Sequence, residues 1–409
     1  MRGCLVSCLI LICAGGAMAD EAIMESVLAP SSEWGPAHCG NGTVGPCAPE
    51  ATACGRRAHP TAKGRAHPTA KGMHIPRLEE CTSHGWGSGV QSRHSHRRET
   101  RALPSFTEQF KKYARSRGAD LVGVAPMERF EGVAPQNDPR SIFPDAKAVV
   151  VIGRRITRGT LRGWEEGTNR DIYEMFGYSW LDKQFAALTT FECAEWLEDN
   201  GWEATPIMCY PPEMPPQGIP VRKGQPGPNV NIDMDYAAVA AGLGEIGLHG
   251  VFMSPRFGPR QRFQAVITDA PLDPDPLCER QVCGGCTVCV HACPLGAIDG
   301  DNTREIDIAG KKMTVAAVDY EKCKRCQNGA RANIYHPSGK PDRIAALCVR
   351  TCVDMLERGA KIDDTFRLPF RQREAWAKDE VGGNVSPESL PFGGGCADPE
   401  GFRKRDGEA

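Results

Sequence analysis

The sequence predicts an α+β fold in which a mixed helix and sheet domain precedes a cysteine-rich module. Between residues 103 and 275, helical and strand-like segments follow one another without the strict alternation of a parallel βαβ sheet. Nine of the 19 cysteines then lie between Cys278 and Cys352, a clustering typical of metal or cluster ligation. We therefore divide the chain into a leader (1–102), a mixed domain (103–275), a cysteine module (276–360) and a tail (361–409).

Local signals predict the elements of the mixed domain in order. Ser105 and Glu108 form a capping box ahead of a helix that Gly118 ends. The segments ADLVGVAP and AKAVVVIG are short, rich in β-branched residues and bounded by glycine or proline, which predicts two buried strands. Apolar residues at helical spacing predict a long helix from about Asp171 to Asn200. A Pro- and Gly-rich loop (208–227), a short helix in DYAAVAAGLGEIG and a strand in QRFQAVITDAPL follow.

The first hundred residues do not resemble a folded domain. They contain no Phe or Tyr and include an identical repeat of RAHPTAKG, so we expect disorder there. Arg2, an apolar run from Leu5 to Cys13 and the segment Ala17-Met18-Ala19 have the form of a signal peptide. The alternative is a native start near residue 100. We expect a cytoplasmic protein, because cluster chemistry favours a reducing compartment; export or membrane association is the alternative if the signal is real.

Charge and hydropathy exclude two classes of partner. The formal net charge is −2, which argues against nucleic acid as the main partner, because no broad basic surface is implied that could neutralise many phosphates. After residue 20, no segment approaches the roughly 18 apolar residues that a membrane-spanning helix needs. We expect a small-molecule substrate and neither DNA nor a transmembrane segment beyond the candidate signal.

The segment CGGCTVCVHACP, which begins at Cys283, contains the strongest chemical signal. Its four cysteines have the spacing C-x2-C-x2-C-x3-C and precede a proline, which is the bacterial ferredoxin run for a [4Fe–4S] cluster. In that run three thiolates wrap one cluster, and the fourth ligates a neighbouring cluster. Zinc is the alternative, but zinc sites usually separate two C-x2-C pairs by a long spacer. The spacing therefore predicts a second set of cysteines downstream.

A second set exists in the segments EKCKRCQ and LCVRTC. By ferredoxin logic, one cluster is held by Cys283, Cys286, Cys289 and Cys352. The other is held by Cys293, Cys323, Cys326 and Cys348. Cys278 is left over as a structural or spare thiol. Two clusters in series form an electron conduit, and the roughly 170 residues before them are where we expect the electron acceptor.

The glycine loop Gly242-Leu243-Gly244-Glu245-Ile246-Gly247 matches G-x-G-x-x-G. A Rossmann dinucleotide site requires this motif to follow a strand and open a helix, whereas here an Ala-rich helical segment precedes it. We interpret the glycines instead as positions where the backbone approaches a large cofactor closely.

With this loop, the segment AAVAAGLGEIGLHGVFMSPRFGPRQRFQAVITDAPL and the ferredoxin run, the sequence resembles the epoxyqueuosine reductase and reductive dehalogenase superfamily. The opening RGADLVGVAPMERF is also typical of it, and the resemblance covers about 103–360. It implies a nitroreductase-like domain that binds a corrinoid (cobalamin), fused to a ferredoxin-like module with two [4Fe–4S] clusters. It also implies electron donation by a ferredoxin or flavodoxin. Electrons would pass through the clusters to cobalt, which reductively removes a halide or an epoxide oxygen.

Departures from the superfamily pattern indicate a divergent member. The catalytic-Asp motif V-D-x-x-P-x-x-E-R is missing before the glycine loop, and Leu248-His249-Gly250 replaces G-K-N after it. The resemblance to dehalogenases implies a tyrosine proton donor beside a basic residue. Our catalytic candidates are Tyr178, Tyr236 and Asp233, with Tyr210 and Asp235 as alternatives. The candidate cofactor contacts are Gly242, Gly244, Gly247, His249, Arg260 and Arg262. Each tyrosine, His249 and the two arginines could instead be structural.

Three functional hypotheses remain open from the sequence. The first is a corrinoid-dependent iron–sulfur reductase. The second is an electron-transfer protein whose upstream domain docks a partner and holds no cofactor, which the missing catalytic Asp supports. The third keeps the reductase and replaces the corrinoid with a flavin (FMN), because nitroreductase-like domains commonly bind one.

Overall fold

The computed structural model describes residues 103–385. The predicted leader, its candidate signal peptide and residues 386–409 of the tail lie outside the described residues. Ten strands occur within that range: β1 Leu121–Pro126, β2 Ala148–Arg155, β3 Ala204–Ile207, β4 Glu245–Ile246, β5 Phe252–Met253, β6 Gln261–Thr268, β7 Ile298–Ile308, β8 Lys311–Val318, β9 Ala377–Lys378 and β10 Asn384–Val385.

Eight α-helices lie among the same residues: α1 Phe106–Ser116, α2 Arg162–Glu165, α3 Asp171–Tyr173, α4 Ala187–Asp199, α5 Met234–Ala240, α6 Val288–His291, α7 Tyr320–Arg325 and α8 Leu347–Arg358. The predicted capping box opens α1. The Ser105 hydroxyl accepts from the Glu108 amide at 3.2 Å, and the Glu108 carboxylate accepts from the Ser105 amide at 2.8 Å. This start of the helix is confirmed, because a capping box satisfies two amides that the first turn leaves unpaired.

The central sheet has four strands in the order β1-β2-β6-β3, and every pairing is antiparallel. Val150 of β2 lies opposite Val124 of β1 and Val266 of β6. The residues Ala148 to Ile152 are all buried. This explains why the segment is a continuous apolar run, since a strand covered on both faces has no solvent side. The predicted mixed fold without βαβ units is confirmed; its nitroreductase-like and ferredoxin-like description stays a prediction.

Helices cover both faces of this sheet. Phe110 of α1 and Leu197 of α4 pack with Val150 on one face. Val239 of α5 packs with Val151 on the opposite face. The alternation of neighbouring β2 residues between these two clusters follows from the two-residue period of a strand. The sheet is therefore the middle layer, and α5 carries the start of the glycine loop on one side of it.

The long helix predicted from Asp171 to Asn200 is present, with a widened middle. Between α3 and α4 the backbone forms π-helical turns over Glu174–Ser179 and Leu181–Ala186. Gly177 lies in the first of these, where a Cβ atom would stand 2.4 Å from Cδ2 of Tyr173. π turns are rare and are frequent at functional sites. Here they contain Tyr178 and Asp182, which both face the cavity described below.

The cysteine module contains a hairpin that the sequence did not predict. Strands β7 and β8 pair in an antiparallel hairpin with an irregularity between Asp299 and Thr303. The hairpin fills the interval between the two cysteine sets. Four of the cysteines lie on helices: Cys289 on α6, Cys323 on α7, and Cys348 and Cys352 on α8.

The described residues on the two sides of the boundary predicted at 275/276 belong to one compact unit. A buried ion pair joins the two sides of this boundary. The Arg350 guanidinium on α8 lies 2.5 Å from the Glu165 carboxylate on α2, and Arg371 binds the same carboxylate at 2.6 Å. Burial alone would raise the pKa of Glu165, but the two arginines lower it overall. Glu165 is therefore an ionised contact between the mixed domain and the cysteine module.

Replacing Glu165 with alanine should destabilise the fold strongly. Arg350 is 1% exposed, so the change leaves a buried charge without its partner, which costs about 3–5 kcal/mol of unfolding free energy. Chemical denaturation measures this loss. Glu166→Ala is the matched control, because its partners Arg373 and Arg162 are 72% and 31% exposed, and ion pairs in contact with water contribute at most about 1 kcal/mol each. Equal losses in the two variants would contradict the argument.

Candidate active site and cysteine centres

A cavity of about 210 Å³ lies between the π turns, the start of α5, the edge of β6 and the loop that precedes α8. Its walls bring together residues that are far apart in the sequence. The charged side chains among them are Asp182, Asp235, Asp342, Arg262, Lys340 and Arg343. Three acidic and three basic groups around one small space form a strongly polarised site, which is where perturbed pKa values and chemistry are expected.

Arg262 is at the centre of this charge network. Its Nη2 atom lies 3.0 Å from the Asp342 carboxylate and donates to the Tyr173 hydroxyl at 2.9 Å. Its Nε atom donates to the backbone oxygen of Gly177 at 3.1 Å. Its guanidinium stands 4.4 Å from the ring centroid of Tyr178. The structure thus places the predicted residue Arg262 in the cavity wall, where its planar group is held in one orientation.

Tyr178, the first catalytic candidate, also lines the cavity. Its hydroxyl donates to the backbone oxygen of Ala332 at 3.2 Å and accepts from the Ile334 amide at 3.0 Å. Burial raises the pKa of Tyr178 above its ordinary value. The hydroxyl therefore anchors the loop of the cysteine module, and its proton is already donated to a carbonyl.

Asp235 is better suited than Tyr178 to act as a proton donor. Burial and the neighbouring charge of Asp233 raise its pKa to about 7, against the opposing effects of Lys340, Arg262 and Arg343. Its side chain is partly exposed, and it lines the cavity. A carboxyl group with this pKa is about half protonated at neutral pH, which suits general acid catalysis.

A third group in the wall joins a carboxyl, a thiol and a phenol. Burial raises the pKa of Asp182 to about 6. The Cys209 thiol donates to the Tyr335 hydroxyl at 3.6 Å. None of the residues Asp182, Cys209 and Tyr335 was predicted from the sequence. Asp182 had a detectable signal, because it lies four positions after Tyr178 on the buried face of the long helix, where an acidic residue is unusual.

The second cysteine set surrounds a separate small cavity. Cys293, Cys323, Cys326 and Cys348 all line it. Burial raises the pKa of the Cys323 thiol to about 11 and that of Cys348 to about 12. A bound metal takes up thiolates and so compensates for such burial.

Backbone amides point at sulfur atoms of both sets. The Ala297 amide donates to Cys293 Sγ at 3.2 Å, and the Asn328 amide to Cys326 Sγ at 3.4 Å. In the first set, the Leu248 amide donates to Cys283 Sγ at 3.4 Å. Such N–H···S bonds are among the features that tune iron–sulfur potentials. The amide of Leu248 also connects the glycine loop to the first cysteine set.

The first cysteine set is grouped in the same way. Burial raises the pKa of Cys289 and of Cys352, and the charges of Cys283 and Cys286 act on both. Cys352 and Cys283 also share one apolar cluster. These proximities agree with the predicted division of the eight cysteines, although Cys348 and Cys289 also lie near each other across the two sets.

The described part of the chain contains no group of side chains arranged to hold a single metal ion. No three His, Cys, Asp or Glu side chains there converge closely enough to hold one metal ion. The four cysteines of the second set lie around a cavity and are therefore spread more widely than the ligands of a single metal ion. The four thiols and the amide donors fit a multi-iron cluster at the second set, and the mutual proximities of the cysteines fit one at the first.

Two of the predicted catalytic residues lie elsewhere. Asp233 and Tyr236 line a different cavity of about 370 Å³, together with Asp307. The Asp233 carboxylate caps α5 by accepting from the amides of Asp235 and Tyr236. The Tyr236 hydroxyl donates to the backbone oxygen of Arg129 at 2.8 Å. The structure does not bring these two residues together with Tyr178, and their catalytic role stays a prediction.

The glycines of the loop are surrounded by protein. A Cβ atom at Gly242 would stand 2.0 Å from the backbone oxygen of Pro276, and one at Gly244 would stand 2.0 Å from that of Met253. At Gly247 it would stand 2.6 Å from the methyl group of Met253. Close internal packing is therefore sufficient reason for all three glycines, whose predicted contact with a cofactor remains untested.

The other two predicted cofactor contacts are also engaged internally. Arg260 is fully buried and binds Asp364 at 2.6 Å, outside the lining of the charged cavity. His249 is buried, and its Nδ1 atom accepts from the Val251 amide at 3.1 Å. Burial lowers the pKa of His249 to about 3, so the ring is neutral. Its Nε2 atom has no partner among the described residues, which leaves one buried donor available.

The charged cavity is too small to enclose a corrinoid. Pockets for drug-sized ligands measure about 300–1,000 Å³, and the 210 Å³ here is below that range. A corrinoid is larger than such ligands. The space inside this cavity suits a small organic molecule, and no step through a corrinoid is derived. Within residues 103–385, no helix is both long and apolar enough to cross a bilayer.

Comparison with known proteins gives partial sequence matches. No family model matches the chain. The tetrachloroethene reductive dehalogenase of Dehalobacter restrictus is 32% identical over 118 residues, which is 28% of this chain and 21% of that protein. An epoxyqueuosine reductase of Synechococcus is 26% identical over 190 residues, 44% of this chain and 47% of that protein. The chain thus matches less than half of the length of either relative.

Solved structures of both kinds of protein are also similar to the chain. A catabolic reductive dehalogenase aligns with a TM-score of 0.41 at 19% identity, covering 63% of this chain and 32% of its own. A selenomethionine-labelled epoxyqueuosine reductase aligns with a TM-score of 0.33 at 16% identity, covering 72% of this chain and 69% of its own. It is the sequence matches that relate the chain to these two families.

Proposed function

We propose that this chain, a divergent member of the superfamily of reductive dehalogenases and epoxyqueuosine reductases, is an iron–sulfur oxidoreductase that reductively removes a leaving group from a small organic substrate. For a halide X the balance is R–X + 2e⁻ + H⁺ → R–H + X⁻. An epoxide would take two electrons and two protons, and would give an alkene and water. A ferredoxin or flavodoxin would supply the electrons, which would travel through two clusters to the charged cavity.

The observation that supports this most is a shared wall. Arg343 lines both the charged cavity and the cavity of the second cysteine set. In this proposal, one side chain would separate the site for electrons from the site for the substrate. An electron-transfer protein that only docks a partner has no need of an internal cavity with six charged groups beside its redox centre.

The residues of the chain would divide the chemistry as follows. The eight cysteines would hold the clusters, which, when bound, supply electrons one at a time. Arg262, fixed by Asp342, and Lys340 would attract the developing anion of the leaving group. Asp235 would deliver the proton from its carboxyl group to carbon in the removal of a halide, and to the departing oxygen in the reduction of an epoxide. Tyr178 would hold the cavity wall closed against water through its two backbone hydrogen bonds.

Three candidates remain for the group that passes electrons to the substrate. One solved reductive dehalogenase is described as B12-dependent, and the sequence resemblance implies a corrinoid. The cavity does not enclose one, so a corrinoid would require residues or movements beyond those described. A flavin is the second candidate, and direct reduction by the second cluster is the third. A small-molecule substrate fits 210 Å³; one solved epoxyqueuosine reductase was captured with a tRNA stem-loop, which makes a nucleotide in RNA the alternative.

Anaerobic reconstitution tests the proposal. The full chain is loaded with iron and sulfide, with and without cobalamin or FMN, and is analysed for metals and by absorption spectroscopy. We expect about eight iron atoms per chain. A chain that remains colourless and binds no iron would refute the proposed function. Iron without any substrate reduction, across haloaromatic, haloalkene and epoxide substrates and each cofactor condition, would favour the electron-transfer hypothesis.

A further inference from the structure

Arg343 has a position that no other residue of the two cavities shares. It lies just before α8, and it is the residue common to the linings of the charged cavity and the second cysteine cavity. It is 4% exposed, so its charge is removed from water. A charge in such surroundings acts on its neighbours more strongly than one at the surface.

Its guanidinium group is held in place by uncharged partners. The Nη2 atom donates to the backbone oxygen of His249 at 2.7 Å and to that of Gly250 at 3.5 Å. The Tyr320 ring centroid lies 5.3 Å from the guanidinium carbon. These hydrogen bonds go to carbonyl groups and not to a carboxylate, so they orient the cation without neutralising it.

One face of this cation remains unsatisfied. The Nη1 atom is buried and has no hydrogen-bond partner among the described residues. Leaving a charged donor unpaired in the interior is costly, and such a group usually serves a ligand. Arg343 faces two candidate sites: the cavity of the second cysteine set on one side and the charged cavity on the other.

The surrounding charges favour the cluster. Arg343 lines the cavity of the second cysteine set together with Cys323 and Cys348. Arg350 also lies near Cys348, but Glu165 neutralises it at 2.5 Å. The ring of His249 is neutral and adds no charge. Arg343 is thus a buried cation next to the second cysteine set that makes no ion pair among the described residues, with the Asp235 carboxyl near it on the side of the charged cavity.

We propose that Arg343 sets the reduction potential of the cluster held by Cys293, Cys323, Cys326 and Cys348. Reduction adds a negative charge to the cluster, and a fixed, buried cation beside it stabilises the reduced form. Arg343 is a positioning residue in this role: it keeps the second cluster reducible by the first and adjacent to the substrate cavity. The inference rests on the proposed function, because it requires the clusters.

The test is a redox titration of the reconstituted full chain, followed by electron paramagnetic resonance. In Arg343→Gln we expect the equilibrium constant for reduction of the second cluster to fall at least tenfold, which corresponds to about 59 mV for one electron. The potential of the first cluster should not change. Signals of the first cluster are identified in Cys323→Ala, which lacks a ligand of the second.

Two further variants separate charge from position. Arg343→Lys keeps the cation, so the equilibrium constant for reduction of its second cluster should stay within tenfold of the parent value. Lys340→Gln removes a cation that lines only the substrate cavity, and it should leave the second cluster at the parent potential. If Arg343→Gln does not assemble the second cluster, the Lys variant decides, and a tenfold or larger change there overturns the proposal.

The outcomes that overturn this inference differ from those that overturn the function. If Arg343→Gln binds the full complement of iron and the potential of its second cluster is unchanged, the proposed role of Arg343 is wrong. The proposed function is not affected by that result. A weaker substrate affinity with an unchanged potential would assign Arg343 to the substrate instead, and also refutes it. Absence of iron from the parent chain refutes the proposed function itself.

Discussion

Replacing Cys323 with alanine should remove about four of the roughly eight iron atoms and abolish substrate reduction. Cys323 is a buried member of the second cysteine set and lines its cavity. Loss of one ligand in four opens that cluster to solvent and interrupts the proposed path to the charged cavity. Iron analysis and electron paramagnetic resonance of the reconstituted variant measure the loss, and the signal of the first cluster should persist.

Cys278→Ala is the matched control for this variant. Cys278 precedes the ferredoxin run, does not line the cavity of the second set, and its thiol donates to the backbone oxygen of Arg280 at 3.6 Å. We expect its iron content and activity to equal those of the parent. If Cys323→Ala keeps about eight iron atoms, or if both variants lose iron equally, the division of the eight cysteines into two sets is wrong.

Replacing Asp235 with asparagine should lower the rate of substrate reduction about 10²–10⁴-fold. The amide keeps the shape of the side chain but cannot release a proton to carbon. The pH profile is the more specific test. Because the active form carries the proton and the pKa is about 7, the rate of the parent enzyme should fall as the pH rises above about 7. That alkaline limb should be absent from Asp235→Asn.

The neighbouring residue Asp233 gives an independent check on this assignment. The charge of Asp233 helps to raise the pKa of Asp235. Asp233→Asn removes that charge and keeps a good helix cap, since Asn caps as well as Asp. We expect the alkaline limb to move to lower pH in this variant. A limb that stays in place in Asp233→Asn and persists in Asp235→Asn would assign the proton to another group.

Stability should change in the opposite direction from activity at Asp235. Its pKa is raised in the folded state, so between about pH 4 and pH 7 the unfolded chain releases a proton that the folded chain keeps. The stability that this proton contributes is present at low pH and is lost as the pH rises through about 7. Asparagine does not ionise, so Asp235→Asn should unfold at a higher temperature than the parent at pH 8. At pH 4 the unfolding temperatures of the two proteins should differ little.

The elements with local signals are those the sequence predicted well. The start of α1 depends on Ser105 and Glu108, three residues apart, and the buried strand β2 depends on a continuous apolar run. Each involves neighbours along the chain, so composition and spacing are sufficient. The β7–β8 hairpin was missed because it has a polar, exposed first strand and no strong turn signal beyond Ala309-Gly310, both of which adopt positive φ.

The candidate site was predicted in part, for the same reason. Tyr178 and Arg262 were named from the sequence and lie together in the cavity, although 84 positions separate them in the numbering. Asp235 was weighed only as an alternative to Asp233. Two acidic positions separated by one residue at the start of a helix look alike in a sequence, whereas the helix turns one toward the charged cavity and uses the other as its cap.

The sequence by itself predicted the iron–sulfur ligands, because the spacing of the cysteines in Cys283 to Cys293 is a local property that only a few metal groups can satisfy. Tertiary structure alone decided which residues line the cavity proposed to receive a substrate. Arg343, Asp342 and Lys340 come from the loop before α8, and Asp182 and Arg262 come from the mixed domain. They share a cavity because folding buries the module against the sheet, and long-range packing of this kind has no signature in the spacing of residues.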